Sequence, residues 1–258
     1  MCEIFGVNAR FRVEINEYLK TFFAHSVLHA HGWGISFHTG KDVFFHKEAL
    51  AANKSAYLKR RLRFPVVESN VLAHIRYATV GSIDAQNSHP FISKDESGRT
   101  WSFIHNGTIH CGDALDIYRA VQTGQTDSER LSLHLISELN KLEQQLGRSA
   151  KDEERFELID NVIGSLSGGN KLNLVLSDGE FTFVHSNAAD TLYSLKKDDA
   201  VFFSTLPLSK EDWQPISQTR LLIFKEGELI GRGRAHGIIY KPNETERRFA
   251  EFSRELIA

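Results

Sequence analysis

From Lys171 onward the chain is a succession of short runs rich in β-branched and aromatic residues, and nothing else in it restricts the fold so much. KLNLVLS and EFTFVHS flank Asp178-Gly179, a dipeptide that predicts a tight hairpin between antiparallel strands. TLYSL, AVFFST and RLLIFKEG continue the pattern. Earlier, VLAHIRYAT and TWSFIHN read as strands, and GWGISF and DVFFH flank a turn at Thr39-Gly40-Lys41-Asp42. Helical spacing is confined to separate stretches. Ile15, Tyr18, Leu19, Phe22 and Phe23 mark a helix over residues 15–29, and residues 49–62 read as a second. Thr126 is the natural N-cap of a long helix from Asp127 to about Leu146, with Glu129 completing a capping-box pattern. Residues 156–166 predict another helix, and residues 244–257 read as a charged amphipathic helix or a frayed tail. Helices in two groups with many antiparallel strands predict an α+β fold in which two sheets pack face to face.

Composition narrows the function. At 258 residues the chain is long enough to bury a core, and 41% hydrophobic with 25% charged residues is ordinary globular content. A net charge of -2 supplies no basic field for nucleic acid and no polybasic membrane patch. The two cysteines, Cys2 and Cys111, form no disulfide framework and fit a reducing compartment. No apolar run approaches the roughly 20 residues needed to cross a bilayer, and the N-terminus lacks the parts of a signal peptide. Cytoplasmic residence is the expectation.

Cys2 directly follows the initiator methionine. Removal of Met1 would place a thiol and a free α-amine on one residue. An α-amine ordinarily titrates at ~7.7–8.0, so it is largely available as a base at cellular pH. A nucleophile carrying its own base is one solution to amide hydrolysis. By position alone, the reading of Cys2 as a small residue buried in a strand is the favoured one. Arg76, at the end of AHIRYATVG, has a guanidinium fork suited to a carboxylate. Asn106-Gly107 pairs a side-chain amide with a backbone that can be approached closely, as an oxyanion site requires. Asp127, in the first turn of its helix, is placed to accept an ammonium group. Each residue also has a plain reading: a surface ion pair, a common turn and a routine helix start.

In order along the chain, MCEIFGV, HGWGISF, AHIRYATVG, NSHPF, FIHNGTI and TDSE resemble the class II glutamine amidotransferase domain, a family of N-terminal-nucleophile hydrolases. The likeness is strong through Glu129 and continues more weakly through LVLSDG and FFSTLPL. It implies a single domain over residues 1–258 with the four-layer αββα sandwich of N-terminal-nucleophile hydrolases. It also implies hydrolysis of a γ-amide through a γ-glutamyl thioester on Cys2, with the freed α-amine as base. Asn106 and the Gly107 N–H would stabilise the oxyanion. Arg76 would bind the substrate α-carboxylate, helped by the Thr79 region, and Asp127 the α-ammonium. HGWGI and NSHPF look closest to small standalone members, including γ-glutamyl hydrolases. Tyr77 and Val80 stand where the sugar-phosphate branch has Trp and His, so strict glutamine specificity does not carry over.

The resemblance implies neither a metal nor an organic cofactor. His25, His29 and His31 lie close in sequence, but no third-ligand or HExxH pattern accompanies them. His74, His89 and His105 fall inside the motifs and are expected to hydrogen-bond and position loops. The strands after Asp178 are expected to complete the domain, leaving no fused ammonia acceptor. Two other readings stay open: an ammonia-donating subunit serving a separate acceptor enzyme, and a catalytically silent binding or regulatory module. Neither the leaving amine nor the oligomeric state is readable from the sequence.

Overall fold

The protein is described by a computed structural model covering residues 2–40 and 42–257. Met1, whose removal the expected mechanism needs, and Lys41, of the turn expected at residues 39–42, lie outside the described residues. The first half carries β1 (Glu3–Glu14), α1 (Asn16–Ala24), β2 (Trp33–Thr39), β3 (Asp42–Glu48), α2 (Ala56–Arg61), β4 (Val67–Ile75), β5 (Phe91–Lys94) and β6 (Thr100–His105). Two helices follow, α3 (Asp127–Leu146) and α4 (Asp152–Leu166). The second half adds β7 (Leu174–Ser177), β8 (Phe181–His185), β9 (Tyr193–Lys197), β10 (Ala200–Ser204), β11 (Gln214–Pro215), β12 (Leu222–Lys225), β13 (Glu228–Arg232) and α5 (Glu244–Ile257).

The strands form two antiparallel sheets, ordered β11-β9-β10-β1-β4-β2-β3 and β13-β12-β8-β7-β6-β5. Strand alternation explains the layering. In β1, Phe5 and Val7 face α1 and α2, where Leu19, Phe22 and Leu58 cover them. Ile4 points the other way and meets Leu72, Ile104, Val175 and Val184 between the sheets. Gly6 leaves that interface space it needs, since a Cβ there would lie 3.2 Å from Leu72 Cδ2. The outer face of the second sheet, through Phe103 and Phe183, packs on Leu135 and Leu139 of α3 and Ile159 and Ile163 of α4. Each fully buried side chain of this size contributes about 1.5–3 kcal/mol. The order of layers is helix, sheet, sheet, helix, as the resemblance implied.

Polar pairs also cross the inter-sheet space, hydrogen-bonded to each other as burial requires. Asn8 Nδ2 donates to Thr182 Oγ1 at 3.0 Å, and Asn70 Nδ2 donates to Ser177 Oγ at 2.9 Å. Such bonds fix the register of one sheet on the other.

Local differences from the sequence reading have identifiable causes. The first helix stops at Ala24 and tightens into a 3₁₀ turn over His25–Val27, where His25 and His29 are drawn to the buried Glu3 carboxylate at 2.8 and 2.9 Å. Residues 49–62 hold a 3₁₀ turn and a short α2, which starts only where Ser55 Oγ caps the Leu58 N–H. At α3, Thr126 caps the Glu129 N–H as expected. The Glu129 carboxylate, however, accepts from Thr123 and Gly124 N–H groups rather than reaching back to the cap residue. α4 starts at Asp152, four residues before the apolar spacing becomes visible at Phe156.

Candidate active site

Cys2 immediately precedes β1, in the first sheet, and its half-buried thiol donates to the Tyr77 carbonyl at 3.5 Å. Asn106 and Gly107 follow β6, in the second sheet, so the candidate nucleophile and the candidate oxyanion donors come from opposite sheets. Thr205, just after β10, ties the two together. Its Oγ1 accepts from the Ile4 N–H at 3.0 Å and from Asn106 Nδ2 at 3.4 Å, while its own N–H donates to Ile4 O at 3.1 Å. No sequence motif singles out Thr205, although it lies within the FFSTLPL segment.

The Asn106-Gly107 turn is held from three sides. Asn106 N–H donates to Asn173 O at 2.8 Å, and Thr108 N–H donates to Lys171 O at 3.2 Å. His105 Nε2–H donates to the same Lys171 carbonyl at 3.0 Å, which leaves Nδ1 to accept from Ser128 Oγ–H at 3.0 Å. The close approach explains the glycine: a Cβ at position 107 would sit 1.9 Å from Lys171 O. Among the described residues the Gly107 N–H makes no hydrogen bond, so it is available to a ligand oxygen.

Asp127 lies behind this turn, buried at the first position of α3. One carboxylate oxygen accepts from Ile109 N–H at 2.7 Å and the other from Ser128 N–H at 2.9 Å. It pins the segment after Gly107 and keeps lone pairs free for an ammonium. Arg76 is 3% exposed and close enough to Cys2 for their charges to interact. Its guanidinium donates to Ser82 O and Val80 O, both at 2.8 Å, curling residues 76–82 around it. Capturing a carboxylate therefore means exchanging some of these bonds. Thr79 stands exposed on that same loop, and no contact brings it to Cys2 among the described residues.

The electrostatics favour a reactive Cys2 only in part. Burial pushes the thiol up, while the positive charges of Arg76 and Lys171 pull it down. The neighbouring Glu3 is buried too. Burial alone would raise its carboxyl, but hydrogen bonds from His25 and His29 outweigh that and hold it at about 2. His25 and His29 are thereby committed to Glu3, and no metal-binding cluster occurs among the described residues. His105 positions a loop as expected. His74 and His89 do not: their rings lie 4.1 Å apart, and their nitrogens make no hydrogen bond among the described residues. Burial holds both far below the usual histidine value, so each packs as a neutral ring.

A small cavity of about 40 Å³ opens on Cys2, with Asn106, Lys171 and Thr205 on its walls and Phe249, Ala250 and Ser253 of α5 across it. A much larger groove of about 630 Å³ lies roughly 20 Å further along β1, beside Asn8 and Arg10. It contains none of the groups above and is lined by mixed charges such as Arg99, Asp178 and Glu226. Of the sequence-predicted residues, Cys2 and Asn106 meet at the small cavity.

The family Glutamine amidotransferases class-II matches this chain over residues 1–198. The chain belongs to the class II glutamine amidotransferases. An uncharacterized protein of Methanocaldococcus jannaschii is 30% identical over 259 residues, covering 89% of this chain and 71% of that protein. In three dimensions the chain is similar to a Pseudomonas aeruginosa protein solved as a predicted glutamine amidotransferase, with a TM-score of 0.64 at 21% identity over 89% of this chain and 100% of the other. It is also similar to the glutamine phosphoribosylpyrophosphate amidotransferase of B. subtilis, with a TM-score of 0.66 at 18% identity, covering 90% of this chain and 49% of that one. These two structures bear on the fold. Among the described residues, no helix is long and apolar enough to cross a membrane.

Proposed function

We propose that this amidotransferase domain hydrolyses the γ-amide of glutamine or of a γ-glutamyl compound through a thioester on Cys2. The observation that carries the reading is the shared cavity in which the Cys2 thiol from one sheet faces the Asn106 amide from the other. With Met1 removed, the Cys2 α-amine takes the thiol proton, directly or through a water. Sulfur attacks the γ-carbonyl carbon, and Asn106 Nδ2–H with Gly107 N–H receives the negative oxygen. The C–N bond breaks as the amine delivers its proton to the leaving nitrogen. Water then cleaves the thioester to glutamate and restores the thiol. Arg76 and Asp127 supply opposite charges for the α-carboxylate and α-ammonium that every γ-glutamyl substrate shares.

The test compares processed protein with its variants on glutamine and on γ-glutamyl amides. Cys2→Ala abolishes turnover while preserving the thermal transition, and Cys111→Ser leaves the rate unchanged, since Cys111 is exposed and outside the cavity. Protein retaining Met1 is inactive because its amine is an amide. An essential Cys111 with a dispensable Cys2 would refute the proposal.

A further inference from the structure

An oxyanion donor works only if its N–H is held where the oxygen will be, and one contact does this for the Asn106 side chain. The Asn106 backbone N–H is tied to Asn173 O at 2.8 Å, which fixes the main chain but not the amide. Among the described residues the amide makes a single hydrogen bond, in which Nδ2 donates to Thr205 Oγ1 at 3.4 Å. Asn106 is 2% exposed, so bulk water does not take over from that partner.

Thr205 is itself fixed against the strand that Cys2 leads into. It directly follows β10, whose Ser204 pairs with Phe5 of β1. The Thr205 N–H donates to Ile4 O at 3.1 Å, and Oγ1 accepts from the Ile4 N–H at 3.0 Å. Ile4 is fully buried and lies two residues after Cys2. A hydroxyl oxygen has two lone pairs, and here Ile4 takes one and Asn106 the other. One oxygen thus sets the Asn106 amide against the backbone of the first sheet. The two N–H bonds of a side-chain amide share a plane, so holding one directs the other. Cys2, Asn106 and Thr205 line the same cavity, and the second N–H is the one left for an oxygen there. The 3.4 Å contact belongs to the covered state, with α5 across the cavity, and catalytic hydrogen bonds often tighten only once substrate is bound.

We propose that Thr205 is a positioning residue for the oxyanion site. Its hydroxyl oxygen holds the Asn106 amide at a fixed place relative to Cys2 by bonding the amide and the Ile4 N–H at once. This rests on the thioester-hydrolysis reading and deepens it, adding the group that aims its oxyanion donor.

Thr205→Val keeps the shape and removes the acceptor, whereas Thr205→Ser keeps the acceptor. On a γ-glutamyl substrate, Thr205→Val lowers kcat about tenfold with KM unchanged, less than the roughly 10²–10³ expected for losing the donor itself. Thr205→Ser restores most of the rate. In an Asn106→Ala background, Thr205→Val lowers the rate no further, because the group it positions is already gone. The pH profile of kcat/KM stays in place, since neither the thiol nor its amine loses a partner. A loss that adds to that of Asn106→Ala would mean that Thr205 acts on its own, and it overturns the proposal. So does a KM effect as large as the kcat effect, or an unchanged rate. If Thr205→Val does not fold, Thr205→Ala is carried through the same cycle. A readout independent of turnover is the Asn106 side-chain amide in NMR spectra, assigned by its disappearance in Asn106→Ala. With no substrate present, its proton pair shifts in the Thr205 variant that lacks the hydroxyl and returns toward its wild-type position in Thr205→Ser. A pair that does not move overturns the positioning role. If the pair moves while wild-type protein turns over no γ-glutamyl compound, the hydrolase reading fails and the positioning role stands.

Discussion

In the proposed mechanism Asn106 and Arg76 divide the work of the site between chemistry and binding. Asn106 meets an oxygen that is negative only in the transition state, so Asn106→Ala should lower kcat by roughly 10²–10³ with little change in KM. Arg76→Lys keeps the charge and loses the fork, so its effect falls mainly on KM. It also forfeits the donors to Val80 O and Ser82 O, which loosens the loop that must exchange bonds with substrate. Steady-state kinetics on one γ-glutamyl substrate separates the two, and equal KM effects would reduce Asn106 to a turn residue. Both residues were legible through the ordered set of motifs that carries the resemblance, since each taken alone reads equally as an ion pair or a common turn. Lys171 and Thr205 were not, because their roles exist only through partners far along the chain: Thr205 bonds Ile4 and Asn106, and Lys171 reaches Gly107. Thr79, named through resemblance, stands exposed on its loop, and nothing in the covered state shows what it does.

Among the elements, α5 is the one whose meaning the sequence withheld. Its charged, amphipathic spacing announced a helix but not the surface beneath it. That surface is the mouth of the Cys2 cavity, and Phe249 closes it against Tyr77 and His29. Removing residues 244–258 should therefore expose the thiol. In a Cys111→Ser background, the truncated protein should react with iodoacetamide several-fold faster than the full chain, read as the alkylation rate of Cys2 under native conditions. An unchanged rate would mean that α5 does not limit access. The other helices were read well where apolar spacing dominates, as in α3, and less well where polar anchors decide their ends. α1 ends where Glu3 claims two histidines, and α2 begins where Ser55 offers a cap. Such anchors are long-range or single-residue events that periodicity does not register.

At the scale of the whole molecule, the site is a product of sheet-on-sheet packing. Cys2 leads into the first sheet and Asn106 leaves the second, so the contacts of Ile4 and Leu72 with Ile104, Val175 and Val184 set the distance between the proposed nucleophile and oxyanion donors. The two-sheet architecture was legible from alternation and tight turns, because side-chain alternation along each strand directly states which faces are buried. Strand order was not, since β1 pairs with β10 and β4 across long stretches of chain that no local pattern encodes. The central claim, a γ-glutamyl thioester on Cys2, is tested by mass spectrometry of protein acid-quenched during turnover of a γ-glutamyl substrate. The expected result is an N-terminal peptide that begins at Cys2 and carries one γ-glutamyl group, absent from the Cys2→Ala protein. Sustained turnover with that peptide unmodified, or with the γ-glutamyl group on Cys111, would contradict it.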